Sequence, residues 1–129
     1  MTPAKSLQGS ELNGLRVLIV EDSWSVGTGL KALLESWGAD VIGLTATTAD
    51  ALRLVSKSPP DVALVDISLR HGERSDELID ELHSQDIRVV VLSGYADVTP
   101  GHKKAVALLQ KPVREELLLA SLRPMMRTE

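Results

Sequence analysis

The sequence predicts an α/β domain built on a five-stranded parallel sheet with helices on both faces. Unbroken, largely β-branched apolar runs such as Arg16–Val20, Val62–Val65 and Arg88–Leu92 recur along the chain, with amphipathic helical stretches between them. Strands that are apolar throughout, rather than alternating, are the kind covered on both faces. Alternation of strand and helix then requires parallel pairing through right-handed crossovers. Position adds a further observation: four apolar runs lead into Glu21-Asp22, Asp66, Ser93 and Lys111. In an open parallel sheet such strand ends converge on one crevice, where doubly wound folds place their chemistry.

The elements follow in order. Residues 1–13 are polar, carry Pro3, Gly9 and Ser10, and read as a flexible lead-in. Asn13-Gly14 is a turn signal before the first strand. Val26, Leu30, Leu33, Leu34 and Trp37 then form the apolar stripe of a helix. Asp22 or Ser23 can cap its start, and Gly38 stands where a left-handed C-cap is needed. Val41–Leu44 makes a short second strand, and Thr47 or Thr48 opens a second helix that Ser58-Pro59-Pro60 ends. After the third strand and a polar loop through Gly72, Leu78, Ile79 and Leu82 mark a third helix, followed by the fourth strand.

From Gly94 to Lys104 no apolar stripe recurs, and Thr99-Pro100-Gly101 intervenes, so a fourth helix there is expected to be short or irregular. A short fifth strand over Ala105–Gln110 and a final helix with Val113, Leu117, Leu118 and Leu122 complete the pattern, with Pro124 fraying its end. The expected sheet order is 2-1-3-4-5, the flavodoxin-like arrangement. The folded domain is expected over residues 14–126, with 127–129 as a tail.

Composition narrows the function classes. A chain of 129 residues, 43% hydrophobic and 25% charged, suits one globular domain and leaves no room within it for an output module. With no cysteine, a disulfide scaffold, a thiolate metal site and a cysteine nucleophile are excluded. A formal net charge of −4 speaks against nucleic acid as a partner. No apolar run approaches a membrane span and no signal-peptide core opens the chain, so a cytoplasmic location, off the membrane, is expected. No phosphate-binding glycine loop follows the first strand. His71, His83 and His102 lack metal-ligand spacing and read as surface residues.

The crevice therefore collects Glu21, Asp22, Asp66, Ser93 and Lys111. Each has a plain structural role available: Asp66 could cap a turn, Glu21 and Asp22 could complement a helix dipole, and Lys111 could end a strand on the surface. Together they are harder to dismiss. Three carboxylates in one crevice repel one another and call for a compensating cation. Mg²⁺ takes one or two carboxylates plus phosphate oxygens and keeps several waters. The Lys111 ammonium can pair with the Asp66 carboxylate at rest and with a phosphoryl oxygen afterwards, and the Ser93 hydroxyl can donate to that same group. This is equipment for holding a phosphoryl group on a carboxylate nucleophile.

The ordered set of Glu21-Asp22, Asp66, Ser93-Gly94 and Lys111-Pro112 resembles the receiver domain of two-component response regulators, over nearly the whole chain. The resemblance implies that Asp66 accepts a phosphoryl group from a histidine kinase or histidine phosphotransfer protein, and that the acyl phosphate then hydrolyses slowly on the domain. It implies Mg²⁺ bound by Asp22, Asp66 and the backbone carbonyl of Ser68, with Glu21 acting through a water. It also implies that Ser93 moves inward on phosphorylation and that Lys111 contacts the phosphoryl group. Output would be a changed protein-binding surface on a monomer or weak homodimer.

Several positions depart from the family pattern. The loop after Asp66 reads Ile67-Ser68-Leu69-Arg70-His71-Gly72, without the usual Met-Pro. Leu108 stands where an aromatic usually swings inward, so that switch cannot operate here. The stretch from Ser93 to Lys111 is about one helical turn shorter than usual. Leu92-Ser93-Gly94-Tyr95 is similar to a Thr-Gly-Tyr-like run found mainly in stand-alone receivers, which makes Tyr95 the candidate mobile aromatic. A receiver fold used as an interaction module without phosphorylation, and the excised receiver of a hybrid kinase, are the alternatives.

Overall fold

Residues 11–67, 75–94 and 104–126 are described by the computed structural model. Strands β1 (Arg16–Val20), β2 (Asp40–Thr45), β3 (Val62–Asp66), β4 (Arg88–Ser93) and β5 (Ala107–Gln110) form one sheet in the order β2-β1-β3-β4-β5. Every pairing is parallel. The helices are α1 (Trp24–Ser36), α2 (Thr48–Lys57), α3 (Asp76–Ser84) and α4 (Glu115–Leu122), and a 3-10 turn over Arg123–Met125 takes the chain past Pro124. The expected fold class and strand order are those observed.

The continuous apolar runs are explained by burial on both faces. One face of the sheet, through Val17, Ile19, Leu64, Val90 and Leu92, packs on Leu30 and Leu34 of α1 and Leu118 and Leu122 of α4. The other, through Leu18, Val20, Val65, Val89 and Val91, packs on Ala51 and Val55 of α2 and Leu78, Ile79 and Leu82 of α3. β3 lies centrally and is buried along its whole length, whereas the edge strand β2 is only half-buried. A register shift between Val17 and Leu18 puts an extra β2 residue, Ile42, between the partners Val41 and Gly43. At Gly43 a Cβ would run into the Leu54 side chain, so the missing side chain is what lets α2 sit close to β2 there.

The capping signals act as their residue types dictate. Ser23 accepts a hydrogen bond from the Val26 N–H at 3.4 Å, and Thr47 from the Asp50 N–H at 3.1 Å. Gly38, at φ +89°, closes α1 in a Schellman turn, with its N–H on Glu35 O and the Ala39 N–H on Leu34 O. The same turn ends α3, where the left-handed position belongs to Asp86 at φ +63° instead of a glycine.

Two boundaries are corrected. Leu12, expected within a flexible lead-in, is fully buried against the α1–α4 face, and its N–H donates to Trp37 O at 2.8 Å. The packed unit thus includes the turn from Glu11 onward. Strand β5 begins at Ala107, two residues later than expected, although the Val106 N–H still donates to Val89 O at 2.8 Å. The irregular segment expected after β4 falls largely in residues 95–103, outside the described residues.

Candidate functional site

Parallel register fixes which strand ends meet. Asp66 is level with Leu92, and Ser93 is level with Gln110, so the C-terminal ends of β1, β3, β4 and β5 open on one crevice. Asp66 ends the most buried strand and is itself only 4% exposed. Glu21 follows β1, is 3% exposed, and donates its N–H to Thr45 O at 2.9 Å, which holds the turn into α1 against β2. Ser93, at 3% exposure, closes β4. Lys111 follows β5 and is held there by its N–H on Ser93 O at 2.7 Å, with a cis bond to Pro112.

Four of the crevice side chains, those of Glu21, Asp22, Asp66 and Lys111, come together. The Lys111 ammonium lies 3.0 Å from Asp66 Oδ2 and also 2.8 Å from Glu21 Oε1. Glu21 Oε2 accepts the Ser23 N–H at 3.1 Å. Asp22 is less buried, but one carboxylate oxygen from each of Glu21, Asp22 and Asp66 lies within 4.8 Å of the others. Sequence reasoning paired Lys111 with Asp66 alone; the bridge to Glu21 depends on packing that no spacing rule encodes. Ser68 and Tyr95, the expected carbonyl ligand and mobile aromatic, lie outside the described residues.

Burial pushes the Glu21 carboxyl above its usual range. The hydrogen bonds from Lys111 and the Ser23 N–H oppose the rise without cancelling it, and the Asp66 charge adds to it. Burial also works against the Lys111 ammonium, yet its hydrogen bonds with Glu21 and Asp66 outweigh that and the net shift is upward. Among the described residues, the Lys111 ammonium therefore stands beside three carboxylates, an excess of negative charge suited to an oxygen-liganded divalent cation.

A further residue escaped the sequence reading. Ser75, fully buried at the start of α3, donates its hydroxyl to the backbone carbonyl of Asp66. In the sequence it looks like any serine before a helix.

The response regulator receiver domain family matches residues 17–123. Over 100 residues the chain is 31% identical to the phyllosphere-induced regulator PhyR of Methylorubrum extorquens, covering 74% of this chain and 38% of that protein. The chain thus spans well under half the length of that curated relative. Among solved structures, the signal receiver domain of a modulated diguanylate cyclase from Desulfovibrio desulfuricans superposes with a TM-score of 0.78 at 28% identity, covering 88% of this chain and 94% of that one. The receiver domain of the Erythrobacter litoralis response regulator PhyR gives a TM-score of 0.78 at 27% identity, over 88% of this chain and 90% of that one. This chain belongs to the response regulator receiver domain family.

Proposed function

We propose that this receiver domain accepts a phosphoryl group on Asp66 from a phosphohistidine of a histidine kinase or histidine phosphotransfer protein. The observation that carries the proposal is a buried carboxylate on a rigid central strand, salt-bridged to Lys111 at 3.0 Å and crowded by two further carboxylates. A carboxylate oxygen of Asp66 attacks phosphorus, the P–O bond forms as the P–N bond breaks, and the imidazole leaves with the bonding pair. Lys111 keeps a positive charge where the phosphoryl oxygens arrive, and the buried Ser93 hydroxyl is at the end of the neighbouring strand to donate to one of them. Attack by water later returns Asp66 and inorganic phosphate.

Glu21, Asp22 and Asp66 form a donor set that fits Mg²⁺, with Asp22 and Asp66 as direct ligands, Glu21 acting through a water, and the Ser68 carbonyl completing the set by resemblance. When bound, Mg²⁺ supplies neutralisation of the carboxylates and of the incoming phosphoryl charge. Signalling follows from the inward pull on Ser93 and a reshaped surface on the β4–β5 side. Leu108, 42% exposed on β5, has no ring to swing, so the segment after Ser93, including Tyr95, carries the change.

The test uses acetyl phosphate with Mg²⁺ as donor and intact mass as readout. Native protein gains one phosphoryl group and Asp66→Asn gains none. A native chain that stays unmodified, together with no saturable Mg²⁺ binding, would favour an interaction module that uses the receiver fold without phosphorylation.

A further inference from the structure

We infer that Ser75 is a positioning residue for Asp66: its buried hydroxyl fixes the Asp66 peptide, and thereby the carboxylate, and ties that peptide to α3. The inference rests on the reading of Asp66 as phosphoacceptor.

Among the described helices, α1, α2 and α3 begin with a hydroxyl residue at the N-cap, and their hydroxyls are used differently. Ser23 and Thr47 accept the N–H three residues on, which satisfies helical donors. Ser75 makes no side-chain cap bond to α3, and its backbone, at φ −94° and ψ 8°, is not the extended conformation of the other two caps. Its hydroxyl points away from its helix and donates to Asp66 O. A capping role would not produce that geometry.

The location fits that role. At the end of β3 the Ile67 N–H donates to Leu92 O at 2.9 Å, so the neighbouring Asp66 carbonyl faces away from β4. A donor to that carbonyl comes from outside the strands. Ser75 provides that donor with its hydroxyl and also gives its own N–H to Ile67 O at 3.3 Å. Its carbonyl accepts the Ile79 N–H at 2.9 Å, so one residue links the Asp66 peptide to the first turn of α3. α3 itself is anchored by the fully buried Leu78, Ile79 and Leu82. The Asp66 backbone is thus held by the ladder on one side and by a packed helix on the other. Fixing the peptide limits where the carboxylate can sit relative to Lys111 and the other two carboxylates, and in-line transfer is sensitive to displacements below an ångström.

The experiment compares native protein with Ser75→Ala, Ser75→Cys and Ser75→Thr, each confirmed folded by circular dichroism at the assay temperature. Cysteine keeps the buried volume while replacing a strong donor by a weak one, so a poorly folding alanine variant does not leave the question open. The readouts are the acetyl phosphate reaction rate by intact mass, the Mg²⁺ dissociation constant, and the carbonyl carbon shift of Asp66. We expect alanine and cysteine to slow phosphorylation by about tenfold to a hundredfold, to weaken Mg²⁺ binding, and to move the Asp66 carbonyl shift. Threonine, which retains the hydroxyl, should stay much closer to native in all three. Native-rate phosphorylation in folded alanine and cysteine variants overturns the inference while leaving Asp66 as phosphoacceptor. So does a rate loss that vanishes once corrected for the folded fraction. A native protein that takes no phosphoryl group at Asp66 removes the functional reading itself, and this inference with it.

Discussion

At the C-terminal end of the strands, carboxylate oxygens of Glu21, Asp22 and Asp66 crowd within 4.8 Å of one another beside the Lys111 ammonium, and two of the three carboxylates are buried. At the opposite end the contacts are complementary. The Arg16 N–H donates to Asp61 Oδ2 at 2.9 Å, the Arg16 guanidinium bonds Pro59 O and Ser58 Oγ, and Arg123 bridges Glu11 at 2.9 Å. Leu12 and Met125 bury themselves beneath that clasp. The two ends share one sheet, so the difference shows how a domain can carry an unfavourable charge cluster. Repulsion is concentrated in the crevice, and the far end contributes apolar burial and satisfied polar groups without it. Ion pairs at the far end are at least half open to solvent on one side and individually weak; its stability resides mainly in burial.

The strongest way to sharpen this contrast is Leu12→Ala. It removes a fully buried side chain and should lower unfolding free energy by about 2–4 kcal/mol in urea titration. Mg²⁺ affinity of the folded protein should stay native. A matching loss of affinity would show that the two ends are not independent.

Next comes Lys111→Met, which leaves the carboxylates without their ammonium. In EDTA at neutral pH it should cost about 2 kcal/mol, less than a fully buried pair because the lysine is partly exposed. Part of that loss should recover as acid protonates Glu21. In the native protein, stability from the raised Lys111 pKa is fully present below the unfolded value and is lost as pH rises through the folded value. An alkaline titration followed by fluorescence checks this.

Glu21→Gln should act in the other direction. Because burial raises the Glu21 pKa, its ionisation costs stability as pH climbs from the unfolded value through the folded one. The variant should flatten that part of the pH–stability curve in EDTA and raise the neutral-pH midpoint. It should also weaken Mg²⁺ binding by roughly tenfold. A lowered midpoint would show that the bridge to Lys111 outweighs burial.

The smallest effects belong to the two Schellman turns at the clasped end. Gly38→Ala should lower stability by about 1–2 kcal/mol, whereas Asp86→Gly should raise it by no more than about 1 kcal/mol. Thermal melts of both, with Mg²⁺ affinity unchanged, would confirm that backbone strain here is separate from the crevice.

The sheet and much of the site were legible because each rests on local pattern. Val62–Val65 is apolar throughout because both faces of β3 are covered, and Asp66 follows it as the first polar residue at the strand's end. Leu30 and Leu34 repeat at helical spacing because α1 presents one face to the sheet. Leu12 had no such signal, since Leu7 and Leu12 in a polar stretch set up neither a helical nor a strand period. Asp86 was equally silent, because a left-handed turn normally announces itself by glycine.

The sequence by itself thus determined the strand and helix order, the parallel topology and the gathering of Glu21, Asp22, Asp66, Ser93 and Lys111 at one sheet end. Periodicity and chain connectivity suffice for those. Tertiary structure alone decided which carboxylates Lys111 bridges, where the Ser75 hydroxyl donates, and that Glu11 meets Arg123 across 112 residues of sequence. A hydrogen bond is settled by about an ångström of placement and by the direction of a donor. That placement comes from the packing of whole elements, and no run of neighbouring residues contains it.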